Sequence, residues 1–129
     1  MIIAGACGRQ WLLLHHWDSA KFYAYQLGVR ASIAAPVYST FSKIPRKFFG
    51  LYKYGEMEIS NDFKKIALAN NDSLNVILFD FDNSSGKVSN RLILADSETN
   101  GARSVEFSPD GTKLYYAAPS LVTTSYKGV

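Results

Sequence analysis

The phrase EFSPDGTKLYYA at 106–117 occurs in looser form at 58–69 as EISNDFKKIALA. Glu58 aligns with Glu106, Ile59 with Phe107, Ser60 with Ser108, Asp62 with Asp110, Lys65 with Lys113 and Ile66 with Leu114, at a constant offset of 107 − 59 = 48 residues. A period in this range marks stacked repeats, because one such unit cannot bury its apolar surface alone and needs a neighbour to do so.

The residues between the two phrases read as strands. KKIALANN (64–71), LNVILFDFD (74–82) and VSNRLILA (88–95) are short, rich in β-branched and large apolar residues, and separated by Asn, Asp, Ser and Gly. GEMEIS (55–60) alternates Met57 and Ile59 with Glu56 and Glu58, the period of a half-buried strand. One period therefore holds four strands. The earlier residues fit the same template: RQWLLLHHW (9–17) on KKIALANN, KFYAYQLG (21–28) on LNVILFDFD, and APVYSTFS (35–42) on VSNRLILA. There Tyr25 matches Phe79 at an offset of 54, and the surplus falls in SKIPRKFFGLYKY, residues 42–54. After residue 101 two strands are expected, ARSVEFS and TKLYYAA. The opening MIIAGACGRQ is apolar without a basic stretch ahead of it, so it does not read as a signal peptide.

Four antiparallel strands per unit with a turn at a fixed place describe a β-propeller blade. WLLL and NVILF are apolar on consecutive residues, as strands buried on both faces should be. The expected fold is all-β, a partial β-propeller of about two and a half four-stranded antiparallel blades. Its first blade is 1–54 with an inserted loop at 42–54, its second 55–100, and 101–129 supplies half of a third. A closed ring takes roughly four to eight blades, so the chain is either a fragment of a longer polypeptide or a unit that assembles with copies of itself. Both leave apolar faces and open sheet edges.

The FSPDGTKLYY phrase resembles the turn between the first two strands of a blade in bacterial WD40-like and YVTN-type propellers, with Asp110 and Gly111 forming the turn and Ser108 and Pro109 leading into it. The second copy has Asn61 in place of Pro and Phe63 in place of Gly, so its turn is expected to differ in detail. WLLLHHWDSAKFYAYQLG, followed by GEMEIS and VEFSPDG, looks like the propeller region of large exported Bacteroidetes proteins that carry a type IX secretion sorting domain. The resemblance implies an extracellular or cell-surface location.

Strand alternation places the SPDG turn and the DNSSG loop (82–86) on one face of the stack. The HHWDSA loop (15–20), the ANNDS loop (69–73) and segment 42–54 fall on the other. Recognition resides mainly in loops on a rigid scaffold, so the binding candidates are His16, Trp17, Asp18, Lys43, Arg46, Lys47, Asn71 and Asp72 on the second face. Ser108, Pro109, Asp110 and Gly111 are structural turn residues. Segment 42–54 interleaves basic residues with Phe48, Phe49, Tyr52 and Tyr54, a composition suited to a protein or glycan partner. Further blades of the parent chain or self-association are the other expected partners. A net charge of +3 gives no strong case for nucleic acid, and no apolar run approaches the roughly 18 residues of a membrane span.

Neither metal nor cofactor is expected. His15 and His16 are adjacent and point to opposite faces of a strand, and no third histidine exists. Cys7 is alone, which excludes an internal disulfide and a cysteine metal cluster. A calcium loop starting at Asp80 would need Gly at 85 and Glu at 91, where Ser85 and Arg91 stand. A polar turn made by Asp82, Asn83 and Gly86 accounts for that loop. The chain lacks G-x-S-x-G, H-E-x-x-H and P-loop motifs, and no catalytic residue is assigned. The expected function is a non-catalytic binding or scaffold module, part of a larger exported or cell-surface propeller protein. The alternative is a fragment of a propeller hydrolase, lactonase-like. Such an enzyme gathers carboxylates, amides or histidines on the first strands of successive blades, where this chain offers Glu56, Glu58 and Glu106.

Overall fold

The computed structural model describes residues 2–6, 8–16, 20–28, 35–42, 55–70, 75–95, 102–118 and 121–127. Among them there is no helix, and the strands form three antiparallel sheets. The first sheet runs β1 (Ile2–Ala6), β2 (Arg9–His16), β3 (Lys21–Leu27), β4 (Val37–Thr40), each strand paired with the next. The second repeats that order with β5 (Met57–Ile59), β6 (Lys65–Asn70), β7 (Asn75–Asp82) and β8 (Lys87–Ala95). The third holds β9 (Ser104–Phe107), β10 (Lys113–Ala118) and β11 (Leu121–Lys127).

One strand was not anticipated and one strand expectation is corrected. The opening residues form β1, whose IIAGA sequence has weak β-propensity beyond its isoleucines but pairs along its whole length with β2, Ala4 opposite Trp11. After residue 101 there are three strands, because LVTTSYK continues from β10 and pairs Ser125 with Tyr115. The sheets therefore hold four, four and three strands and do not close on themselves.

The consecutive apolar residues of the second sheet divide between two interfaces. Ile66 and Leu68 of β6, with Ile77, Phe79 and Phe81 of β7, join Trp11, Leu13, Phe22 and Ala24 of the first sheet in one core. Ala67, Ala69, Val76 and Leu78 join Val105, Phe107 and Leu114 of the third sheet in another. Alternation along a strand sends neighbours to opposite faces, so an unbroken apolar run is what a central sheet of a stack requires. Each large side chain buried this way contributes about 1.5–3 kcal/mol. Phe22, Phe41 and Phe79 meet at ring centroid distances of 4.8–6.1 Å and fill the first interface.

The two related turns share a frame of hydrogen bonds and differ in detail, since the Thr112 hydroxyl donates to Asp110 Oδ1 at 2.9 Å while in the other turn Lys64 N–H donates to Ser60 Oγ at 3.3 Å. In the second sheet Ser60 N–H donates to Lys65 O at 3.0 Å, Phe63 N–H to Ser60 O at 2.8 Å, and the Ser60 hydroxyl to Asp62 Oδ1 at 2.7 Å. In the third, Ser108 N–H donates to Lys113 O at 2.9 Å, Gly111 N–H to Ser108 O at 2.8 Å, and the Ser108 hydroxyl to Asp110 Oδ1 at 2.6 Å. Gly111 sits at φ 69°, and Phe63 accepts the same left-handed backbone at φ 57°. The turn is dictated by the Ser–Asp side-chain pair, and the backbone cost of a non-glycine residue, roughly 1–2 kcal/mol, is borne within it.

Candidate functional site

The first strands of the three sheets lie side by side, β1 against β5 and β5 against β9. One edge of the stack is thus built from residues far apart in sequence. Met57 and Ile59 of β5 point into the first interface, so alternation turns Glu58 to the other face, the side of β9. On β9, Val105 is buried and Phe107 packs beside it toward the second sheet, leaving Glu106 exposed. Glu56 stands just ahead of β5, where its Oε2 accepts the Val105 N–H at 3.3 Å and so ties the second sheet to the third.

Three carboxyl groups therefore share this edge. Partial burial raises the Glu58 pKa above its ordinary value, the negative charges of Glu106 and then Glu56 raise it further, and a backbone hydrogen bond at Ile59 works against them. A carboxyl displaced upward by burial and like charges is a stronger proton acceptor than an ordinary one. The 48-residue repeat places Glu58 and Glu106 at equivalent points of successive first strands.

The loop residues singled out from sequence meet this site only in part. His16 is exposed at the end of β2, opposite Lys21. Trp17, Asp18, Lys43, Arg46, Lys47, Asn71 and Asp72 lie outside the described residues. His15 turns inward and packs on Phe22 with ring centroids 4.7 Å apart, and burial, followed by the charge of His16, lowers its pKa to about 4. Ser108, Asp110 and Gly111 make the turn described above, with Pro109 exposed between them.

At the DNSSG loop the Asp82 carboxylate accepts from Ser84 N–H at 2.9 Å, the Ser84 hydroxyl at 2.6 Å and the Ser85 hydroxyl at 2.6 Å. Those bonds hold its pKa down at about 2 and form a self-contained turn. Among the described residues no three His, Cys, Asp or Glu side chains are arranged to hold a metal ion. The carboxylates of the first strands were visible in sequence, but nothing in the spacing alone made the strands adjoin.

No family model matches the chain, and no curated protein matches it. Among solved structures, a luciferin-regenerating enzyme is similar at 19% identity with a TM-score of 0.51, over 89% of this chain. The match covers 37% of that enzyme, so this chain spans little more than a third of its length. The likeness supports an all-β, propeller-type fold whose sheets are unclosed here. It also stands against the expectation of a non-catalytic scaffold, since the structure that shares this fold is that of an enzyme.

Proposed function

We propose that this chain forms part of a propeller hydrolase, lactonase-like in its reaction, with Glu58 as the proton-transferring group. The observation that carries this reading is the meeting of Glu58 with Glu56 and Glu106 on adjoining first strands, where partial burial and like charges raise the Glu58 pKa. In the reaction, the Glu58 carboxylate takes a proton from water as the water oxygen bonds to the carbonyl carbon of a cyclic or linear ester. The ester C–O bond then breaks, and the leaving alkoxide regains the proton from Glu58, giving an acid and an alcohol. Glu56 and Glu106 keep the Glu58 proton affinity high, and the rest of the pocket comes from further sheets, since the chain spans 37% of the similar enzyme.

The repeats are of the WD40-like and YVTN type, a reading supported by the shared Ser–Asp turn. The sequence resemblance supports an exported or cell-surface parent protein. The test is the initial rate of hydrolysis of a panel of lactones and aryl esters by the purified parent protein, with all its sheets, and by the same protein carrying Glu58→Gln. The expected result is turnover of at least one of these esters, reduced about 10²- to 10⁴-fold in the variant, the range of general acid–base catalysis. Turnover that Glu58→Gln leaves unchanged, or none against the whole panel, would overturn the proposal.

A further inference from the structure

We infer that Glu56 is a positioning residue for Glu58: by holding the Val105 amide it fixes β9 beside β5 and keeps Glu106 against Glu58. The role acts through the proton-transferring group proposed above and rests on that reading.

The repeat leaves Glu56 without an explanation. At the offset of 48, Glu58 recurs as Glu106, but Glu56 is matched by Ser104, which has no carboxylate. The surroundings of Glu56 supply a reason. Its carbonyl oxygen accepts the Ala69 N–H at 2.8 Å, and its Oε2 accepts the Val105 N–H at 3.3 Å. Ala69 and Val105 are both buried in the core between the second and third sheets. Glu56 is thus anchored by its main chain on one side of a packed interface and by its side chain on the other.

The amide it holds is one that β10 does not use. Ser108 N–H donates to Lys113 O, and hydrogen bonding alternates along an antiparallel strand, so Val105 turns its N–H to the open edge of β9. A carboxylate bound to that amide makes a charge-assisted bond and satisfies a donor that would otherwise be left unpaired. Val105 directly precedes Glu106, so fixing its amide fixes the backbone of Glu106.

The fixing matters because Glu58 and Glu106 repel each other. Repulsion between like charges falls as they separate, and an untied β9 would relieve it by moving away from β5. After burial, Glu106 is the larger influence on Glu58 and the charge of Glu56 the smaller. The other neighbours of β5 offer no substitute: β6 places Ala67 opposite Glu58, and β1 has no titratable residue. Glu56 therefore has two separable effects on Glu58, its own charge and the spacing it enforces on Glu106.

The experiment is an NMR titration of the glutamate side-chain carboxyls in the 129-residue chain, which has four glutamates, Glu56, Glu58, Glu98 and Glu106. Glu58→Gln identifies the Glu58 signal. Glu56→Gln removes the charge and keeps an oxygen for the Val105 amide, whereas Glu56→Ala removes both. The Glu58 midpoint should fall in Glu56→Gln and fall further in Glu56→Ala. In a Glu106→Gln background the two variants should leave Glu58 with one midpoint, because nothing remains to be positioned. Glu56→Asp keeps the charge and shortens the reach, so it too should lower the midpoint in a chain that retains Glu106. Equal midpoints for the Gln and Ala variants with Glu106 present would overturn the inference, as would a difference that persists without Glu106 or a midpoint unchanged by Glu56→Asp. The titration is read without ester turnover, so its failure is distinct from failure of the rate assay.

Discussion

The side-chain amide of Asn61 donates to the carbonyl oxygen of Pro109 at 2.8 Å. Each residue holds the second position of its own Ser-x-Asp turn, 48 residues apart in sequence. One of the positions where the two repeats diverge is thus where they touch. The stack is fastened at its outer strands as well, where the Ser39 hydroxyl accepts the Val88 N–H at 2.9 Å and Lys87 Nζ donates to Tyr38 O at 3.0 Å.

The Asn61 contact is exposed, so it contributes at the low end of the range for a net hydrogen bond. Asn61→Ala is expected to cost about 0.5 kcal/mol. Urea denaturation should show a lower midpoint with an unchanged slope. Asn61→Pro, which restores the sequence of the later turn, should lose the same bond. An unaltered midpoint in both variants would show that the turns are linked by packing alone.

The stacking was legible in sequence wherever both faces of a strand are buried. NVILF and KIALA are apolar without alternation because Ile77 and Phe79 serve one core and Val76 and Leu78 the other. β1 was not legible, since Ala4, Gly5 and Ala6 have little strand preference and the strand exists through its pairing with β2. β11 carries Val122, Thr123 and Thr124, a β-branched run that signals a strand in its own right. At Phe63 the left-handed turn stands without a glycine, held by the Ser60–Asp62 bond. The carboxylate edge was legible only as residue types, because its geometry is made by contacts between β5 and β9 across 48 residues.

Gly86 is required by Trp11. A Cβ at Gly86 would lie 2.5 Å from Trp11 Cζ3 and 2.7 Å from Cη2, and the residue adopts φ +74°. The indole cannot retreat freely, because its Nε1–H donates to Asn83 O at 2.9 Å and its ring packs edge-on against Phe81. Backbone strain of about 1–2 kcal/mol and overpacking of about 1–3 kcal/mol together put Gly86→Ala at roughly 2–5 kcal/mol. In a Trp11→Leu background only the backbone share should remain. A double-mutant cycle measures the difference, and a coupling near zero would show that the ring and the turn are independent.

His15 should make the fold acid-sensitive. Its folded pKa of about 4 lies below the ordinary 6.5 because burial against Phe22, and then the charge of His16, disfavour the imidazolium. The unfolded chain therefore binds the proton more readily. The stability from this group is present above pH 6.5 and is lost as the pH falls toward 4, an effect on the order of 3 kcal/mol. His15→Phe keeps a ring beside Phe22 and removes the titration. Chemical denaturation between pH 7 and 4 should fall steeply for the native chain and less for the variant; parallel curves would exclude His15 as the cause.

Glu58 has the opposite sign. Its folded pKa is raised above 4.5 by burial and by Glu106 and Glu56, so the folded state holds the proton more tightly than the unfolded chain. The associated stability is fully present below the unfolded pKa and is lost as the pH rises through the folded one. At neutral pH the native protein thus carries an unfavourable charge between two others. Glu58→Gln keeps the shape of the side chain and removes that charge, so it should unfold at a higher temperature than the native chain at pH 7. The gap should close as the pH falls below 4.5, where the native carboxyl is also neutral. A thermal-unfolding series across that range decides it: a gap that stays constant with pH would mean that packing, and not charge, separates the two proteins. Stability gained at pH 7 by the substitution that abolishes turnover would be the mark of a carboxylate held there for chemistry.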